Sequence, residues 1–100
     1  MVKHIVMFTL KPEANGRLAA DNAAQMKIKL EGLNGKVPGL KHLEVGVNVF
    51  AATPDCHVAL YSELGSRADL DAYQAHPLHQ ECVAFIKQVV ASRSVLDYEI

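Results

Sequence analysis

The chain has 100 residues, of which 50% are hydrophobic and 21% are charged, and its formal net charge is -1. This composition excludes a disordered chain, a collagen-like repeat and a disulfide scaffold. The near-neutral charge argues against a nucleic-acid or membrane partner, because such binders normally carry a basic excess. No apolar stretch approaches the roughly 20 residues that span a bilayer, and the N-terminus lacks the features of a signal peptide. We therefore predict one cytoplasmic domain over residues 1–100, with Cys56 and Cys82 reduced.

The first half of the chain predicts a strand, a helix and a second strand. Val2–Leu10 is rich in β-branched residues and apolar on both alternating faces, which is typical of a central strand. Ala14–Leu33 carries apolar residues at steps of three and four, which predicts a helix that ends near Gly32. Leu40–Val49 alternates apolar and polar residues and predicts an edge strand with one buried face.

The second half predicts a strand, a broken helix and a last strand. Cys56–Leu64 is again apolar on both faces, as a central strand would be. Ser66 begins a capping box before a short helix, which Pro77 ends. The next helix starts with Pro77 and is predicted to run to about Arg93, followed by a strand over Ser94–Ile100.

This element order matches the ferredoxin-like βαββαβ unit, an α+β fold with a four-stranded antiparallel sheet. Its first and third strands are central, and its helices cover one face of the sheet. The other face would expose residues such as Ile5, Met7, Val58 and Leu60 if the alternation falls that way. We therefore predict a homodimer in which two sheet faces pack together as a dimeric α+β barrel. Because both alternating sets are apolar, the sequence does not say which set faces the partner.

Four segments carry a family resemblance: Val2–Val6, Val37–Gly46, Leu70–His79 and the closing Asp97-Tyr98. The most specific is the Tyr-x-x-His-Pro-x-His pattern that ends at His79. Together they resemble the stress-responsive A/B barrel (Dabb) domains of the dimeric α+β barrel superfamily. The roles of that family are mixed: bacterial proteins without a defined activity, stress-associated plant proteins and a plant branch of polyketide cyclases. Relatives with the same barrel include cofactor-independent monooxygenases, so the fold does not select a function.

The resemblance also implies a set of site residues. In the cyclase branch, the positions matching Tyr73 and His79 form a catalytic pair in a pocket between sheet and helices. The match to His79 acts as the general base. Positions matching His4, His57 and His76 lie in or near that pocket, and we predict that they bind substrate here.

Each of these residues also has a structural explanation. His4 on a central strand can be a buried histidine paired with a carbonyl or with Asp97, and His76 before Pro77 can serve as a cap. His79 lies on the apolar stripe of its helix, where an unpartnered polar ring costs about 1–3 kcal/mol. That cost favours a functional role for His79.

Histidine moves protons near neutral pH, and a tyrosine hydroxyl can hold an oxyanion. The predicted function is therefore cyclase-like or lyase-like acid–base chemistry on a small apolar or aromatic carbonyl compound, without cofactor or metal. His76, His79 and Glu81 do not form a metal-binding motif. A further pocket tyrosine of the cyclase branch matches Leu30, which argues against aromatic-polyketide cyclisation. A non-catalytic stress-response or ligand-binding protein and a cofactor-independent monooxygenase remain the alternatives.

Overall fold

A computed structural model describes residues 1–100 as a four-stranded antiparallel sheet with three helices on one face. In chain order the elements are β1 (Val2–Leu10), β2 (Glu13–Ala14), β3 (Arg17–Leu18), α1 (Ala19–Glu31), β4 (Leu40–Gly46), β5 (Val58–Leu64), α2 (Arg67–Ala75), α3 (Pro77–Val89) and β6 (Val90–Glu99). The order β4-β5-β1-β6 makes β1 and β5 central and β4 an edge strand, as predicted. The ferredoxin-like α+β fold is thus confirmed. None of the helices has the length and apolar character needed to cross a membrane.

Alternate burial along the strands identifies the face that the helices cover. On β1, Val6 is buried, whereas its neighbours Ile5 and Met7 are only half-buried. Val6 lies directly opposite Leu60, and residues directly opposite one another in an antiparallel pair share a face. Leu60 and Val58 are 3% and 0% exposed on the helix-covered face. The alternation in which Val58 and Leu60 share the open face with Ile5 and Met7 is therefore wrong.

The first helix begins later than predicted, because a small hairpin precedes it. Helix α1 starts at Ala19, not at Ala14, which belongs to β2. Asn15 and Gly16 join β2 to β3 and have φ values of 55° and 72°. Two successive positive φ angles are what a two-residue type I′ hairpin loop requires, and Asn-Gly is its preferred sequence. The apolar spacing that continues through this segment concealed that signal.

The predicted helix cap and the proline break are both present. Ser66 Oγ accepts a hydrogen bond of 3.1 Å from the backbone N–H of Asp69 and caps α2. His76 leaves the helical conformation (φ -64°, ψ 136°) just before Pro77 opens α3. The Nδ1 atom of His76 then accepts a hydrogen bond of 3.1 Å from the N–H of Leu78. The chain therefore turns between two separately capped helices.

The last strand begins at Val90 rather than at Ser94. Its pairing with β1 extends back to Val90, and these long-range hydrogen bonds override the helical spacing of the segment. Arg93 therefore lies on β6, opposite Phe8, and not at the end of a helix. Two other strand ends also differ from the prediction: β4 ends at Gly46, not Val49, and β5 begins at Val58, not Cys56.

Candidate functional site

A cleft of about 660 Å³ opens between the helices and the β1–β6 half of the sheet. The helices pack mainly over β4 and β5, so the same side of β6 is left open and Val95 is 47% exposed. The apolar part of the lining includes Val6, Phe8, Leu30, Leu60, Val83 and Ile86. A largely apolar cleft of this size with a few polar groups is typical of a small-molecule site.

Three of the predicted site residues meet in this cleft: His4, Tyr73 and His79. The ring centroids of Tyr73 on α2 and His79 on α3 are 4.3 Å apart, at an interplanar angle of 46°. The ring of His4 on β1 approaches Tyr73 edge-on, with centroids 6.2 Å apart. The break between α2 and α3 folds the two helices around the same end of the sheet, which is how distant positions in the chain converge.

The hydroxyl of Tyr73 is the unusual feature of the site. Tyr73 is fully buried, and its hydroxyl has no hydrogen-bond partner within the protein. Burial raises the pKa of the phenol well above its usual value, with a smaller contribution from Cys82. Tyr73 is therefore protonated at neutral pH and acts as a donor. The hydroxyl is buried without a partner, which costs about 1–3 kcal/mol, and Tyr73 is one of the residues that line the cleft.

The surroundings of His79 favour the neutral form of its imidazole. Burial lowers the pKa of its imidazole, and the charges of His4 and Arg93 lower it further, while a hydrogen bond with Gln74 opposes them. The Nδ1 atom of His79 lies 3.2 Å from the carbonyl oxygen of Gln74. Because a carbonyl oxygen only accepts, Nδ1 must carry the proton. In the neutral ring, Nε2 is then the atom with a free lone pair.

His4 is held by a carboxylate at the end of the cleft. It is 6% exposed, and its Nδ1 atom pairs with Oδ1 of Asp97, which lies directly opposite on β6. This pairing is one of the structural explanations considered for His4. It also fixes the orientation of the ring, because the carboxylate holds Nδ1. His4 is thus both satisfied structurally and present in the lining.

The other two predicted binding residues, His57 and His76, do not line the cleft. His76 caps α3, as described above. The Nδ1 atom of His57 accepts a hydrogen bond of 2.9 Å from the N–H of Leu10, and its Nε2 atom is 3.7 Å from Asp55. Both residues have contacts that account for them without a ligand. Of the five predicted site residues, only His4, Tyr73 and His79 line the cleft.

Five further polar residues of the cleft lining were not predicted from the sequence: Gln74, Gln80, Lys87, Ser92 and Arg93. Lys87 follows His79 and Val83 at steps of four on α3, so helical spacing could have identified it. Arg93 lies on β6, opposite Phe8, and not on a helix. Its position depends on the pairing of β6 with β1.

The fold and the cleft define a class of protein: a ferredoxin-like α+β domain with a site between sheet and helices. The sequence matches the stress responsive A/B barrel domain (Dabb) family over residues 2–100, and the chain belongs to that family. Among curated proteins, no sequence matches this chain.

Solved structures support the same assignment. A dimeric ferredoxin-like protein of unknown function from Bacteroides fragilis is 30% identical, with a TM-score of 0.85 over 99% of this chain and 95% of that one. A dimeric ferredoxin-like protein of unknown function from Thermobifida fusca is 24% identical, with a TM-score of 0.82 over 99% and 90% of the two chains. The hydroxynitrile lyase from Passiflora edulis is 24% identical, with a TM-score of 0.76 over 99% and 92%. At these lower identities the likeness extends to the fold alone.

Proposed function

We propose that the cleft binds a small apolar or aromatic carbonyl compound and catalyses proton transfer at the carbon next to the carbonyl. The observation that carries this proposal is the buried Tyr73, whose hydroxyl has no partner and whose ring centroid lies 4.3 Å from that of His79. A hydrogen-bond donor and a neutral base at adjacent positions are the two groups that enolisation needs. The proposed activity is therefore of a cyclase or lyase type, and it requires no cofactor.

In the proposed step, Nε2 of His79 takes the proton from the α-carbon of the ligand. The electron pair of the broken C–H bond moves into the carbonyl group, and the oxygen becomes an enolate oxygen. Tyr73 donates a hydrogen bond to that oxygen and keeps its own proton, because its pKa is raised. The enolate can then attack an electrophile or expel a leaving group, and the imidazolium of His79 returns the proton.

The test is deuterium exchange into 4-phenyl-2-butanone, a neutral ketone whose α-protons exchange slowly in water. In D₂O, the wild-type protein should accelerate loss of the α-proton NMR signals. The variant His79→Gln should lose this acceleration by about 10²–10⁴-fold, which is the usual contribution of a general base. The matched control is His42→Gln, since His42 is an exposed histidine whose ring pairs with Glu44 outside the cleft.

A non-catalytic ligand-binding protein is the second candidate, and the largely apolar lining of the cleft supports it. It predicts binding of the ketone without any exchange. Chemical-shift changes at His79 and Tyr73 upon ketone addition, combined with no deuterium uptake, would decide for this candidate. Exchange that is equal in wild type and His79→Gln would contradict the proposed base.

We also propose that the protein is a homodimer formed through the open sheet face, the side of the sheet that carries no helices. Ile5 at its centre lies between Tyr61 on β5 and Leu96 on β6. Leu96 is 58% exposed in the single chain, and Met7 extends the apolar surface along β1. A continuous apolar surface across three strands needs cover in water. The Bacteroides fragilis and Thermobifida fusca proteins are described as dimeric.

A further inference from the structure

We propose that the ligand of the cleft carries a carboxylate, and that Arg93 and Lys87 bind it at the end of the cleft away from His4. This inference rests on the proposed function and names its substrate class: elongated keto acids. It adds to the Tyr73–His79 pair a second subsite, on β6 and the end of α3, which binds the charged group of the ligand.

The charges of the lining carry the inference. The ionisable residues that line the cleft are His4, Tyr73, His79, Lys87 and Arg93, and no aspartate or glutamate is among them. Asp97 pairs with His4 but is not part of the lining. A chain with a net charge of -1 therefore has a cleft whose charged groups are all basic.

Neither cation is neutralised by the protein. Arg93 and Lys87 take part in none of the six ion pairs in the structure. Seven of the ten Lys and Arg residues make no ion pair, and among these only Lys87 and Arg93 line the cleft. Two unpaired cations at the margin of a carboxylate-free cleft favour an anionic ligand, and the planar guanidinium suits a carboxylate because it can donate two parallel hydrogen bonds.

The positions of the two cations set the length of the ligand. Arg93 lies opposite Phe8 and Asp97 lies opposite His4, so Arg93 is four residues along β6 from the His4 end. At roughly 3.4 Å per residue, that is about 14 Å between backbone positions. Lys87 is likewise about two helical turns beyond His79 on α3. The carboxylate and the reacting carbonyl of the ligand are therefore separated by several bonds, with apolar lining between them.

The experiment compares 8-oxo-8-phenyloctanoate, a keto acid whose carbonyl and carboxylate carbons are separated by a flexible apolar chain, with its primary amide, which has nearly the same shape and no charge. Isothermal titration calorimetry at low ionic strength should give a dissociation constant about 10-fold lower for the acid, as expected for one charge-assisted pair. Arg93→Gln should reduce that preference, and the double variant Arg93→Gln/Lys87→Gln should remove it. Arg67→Gln is the matched control, because Arg67 is exposed and outside the cleft, and it should retain the preference.

Equal binding of acid and amide by the wild type would overturn the inference, as would an undiminished preference in Arg93→Gln. Failure of the wild type to bind either compound would overturn it too. In each case the proton-transfer proposal is judged separately, by exchange into the neutral ketone, which has no carboxylate. Added salt gives a further check: the preference for the acid should shrink between about 0.05 M and 0.5 M salt, because exposed charges are screened.

Discussion

Tyr73 and His79 belong to different helices, yet their ring centroids lie 4.3 Å apart. The contact depends on the chain leaving the helical conformation at His76, just before Pro77. A continuous helix would set residues six positions apart about 9 Å along the axis and on different faces. The proline break is therefore what assembles the proposed pair, and it explains why His76 can be a cap while remaining close in sequence to the site.

Removing the hydroxyl of Tyr73 should lower the exchange activity without lowering the stability of the fold. Tyr73→Phe deletes a buried polar atom that has no partner, so the free energy of unfolding should stay the same or rise by up to about 1–2 kcal/mol. Deuterium exchange into the ketone should fall by about 10²–10³-fold, the usual effect of losing an oxyanion donor. Urea unfolding and NMR exchange measure the two quantities. A clear loss of stability would instead assign the hydroxyl a structural role.

His79 should make stability depend on pH. Its pKa in the folded protein lies below the usual 6.5, mainly because burial disfavours the charged ring. Above pH 6.5 the ring is neutral in both folded and unfolded chains. As the pH falls below that value, the unfolded chain takes up the proton first, so stability declines until the pH passes the folded pKa.

The variant His79→Gln removes this titration, and its stability should therefore decline less between pH 7 and pH 5 than that of the wild type. Thermal unfolding at several pH values measures the difference. An NMR titration of the His79 ring gives the folded pKa directly, and a midpoint above 6.5 would contradict the assignment of a neutral base.

Asp97 should matter for stability because its partner is buried. Asp97 is the only side-chain hydrogen-bond partner of the His4 ring in the structure. Asp97→Asn weakens this hydrogen bond, and we expect the free energy of unfolding to fall by about 1–2 kcal/mol. The matched control is Glu44→Gln, which removes the partner of the exposed His42. Exposed pairs contribute little, so this control should leave the unfolding midpoint in urea nearly unchanged. Equal effects of the two variants would mean that the His4 pair is not a buried contact.

The open sheet face gives a prediction about assembly. Met7→Lys puts a charge in the proposed interface and should yield a folded monomer at micromolar concentration by light scattering. Ile28→Lys is the control, because Ile28 is 66% exposed on α1, away from the sheet, and should leave the dimer intact. Leu60→Lys should unfold the protomer, since Leu60 lies under the helices. A wild-type monomer would reject the dimer altogether.

Local patterns in the sequence predicted most elements because they depend on neighbouring residues. The apolar runs identified β1 and β5 as central strands, and Ser66 and Pro77 predicted a helix start and a helix break. The errors came where two local signals competed. At Asn15-Gly16 the hairpin loop prevailed over the apolar spacing of a helix.

The candidate site was likewise predictable from the sequence only in part. The family pattern identified Tyr73 and His79 as candidates, and helical spacing could have added Lys87. Contacts between distant segments could not be derived: the pairing of His4 with Asp97 joins the two ends of the chain, and Arg93 reaches the cleft only through β6.

What the sequence by itself determined was the main helices and strands and their order, because these follow from short-range spacing and residue type. Which face of the sheet the helices cover was decided only by the tertiary structure. Both faces of β1 and β5 are apolar, so burial energy alone does not distinguish them. The backbone register and the packing of the helices placed Leu60 inside, left Ile5 and Met7 on the open face, and turned Arg93 toward the cleft.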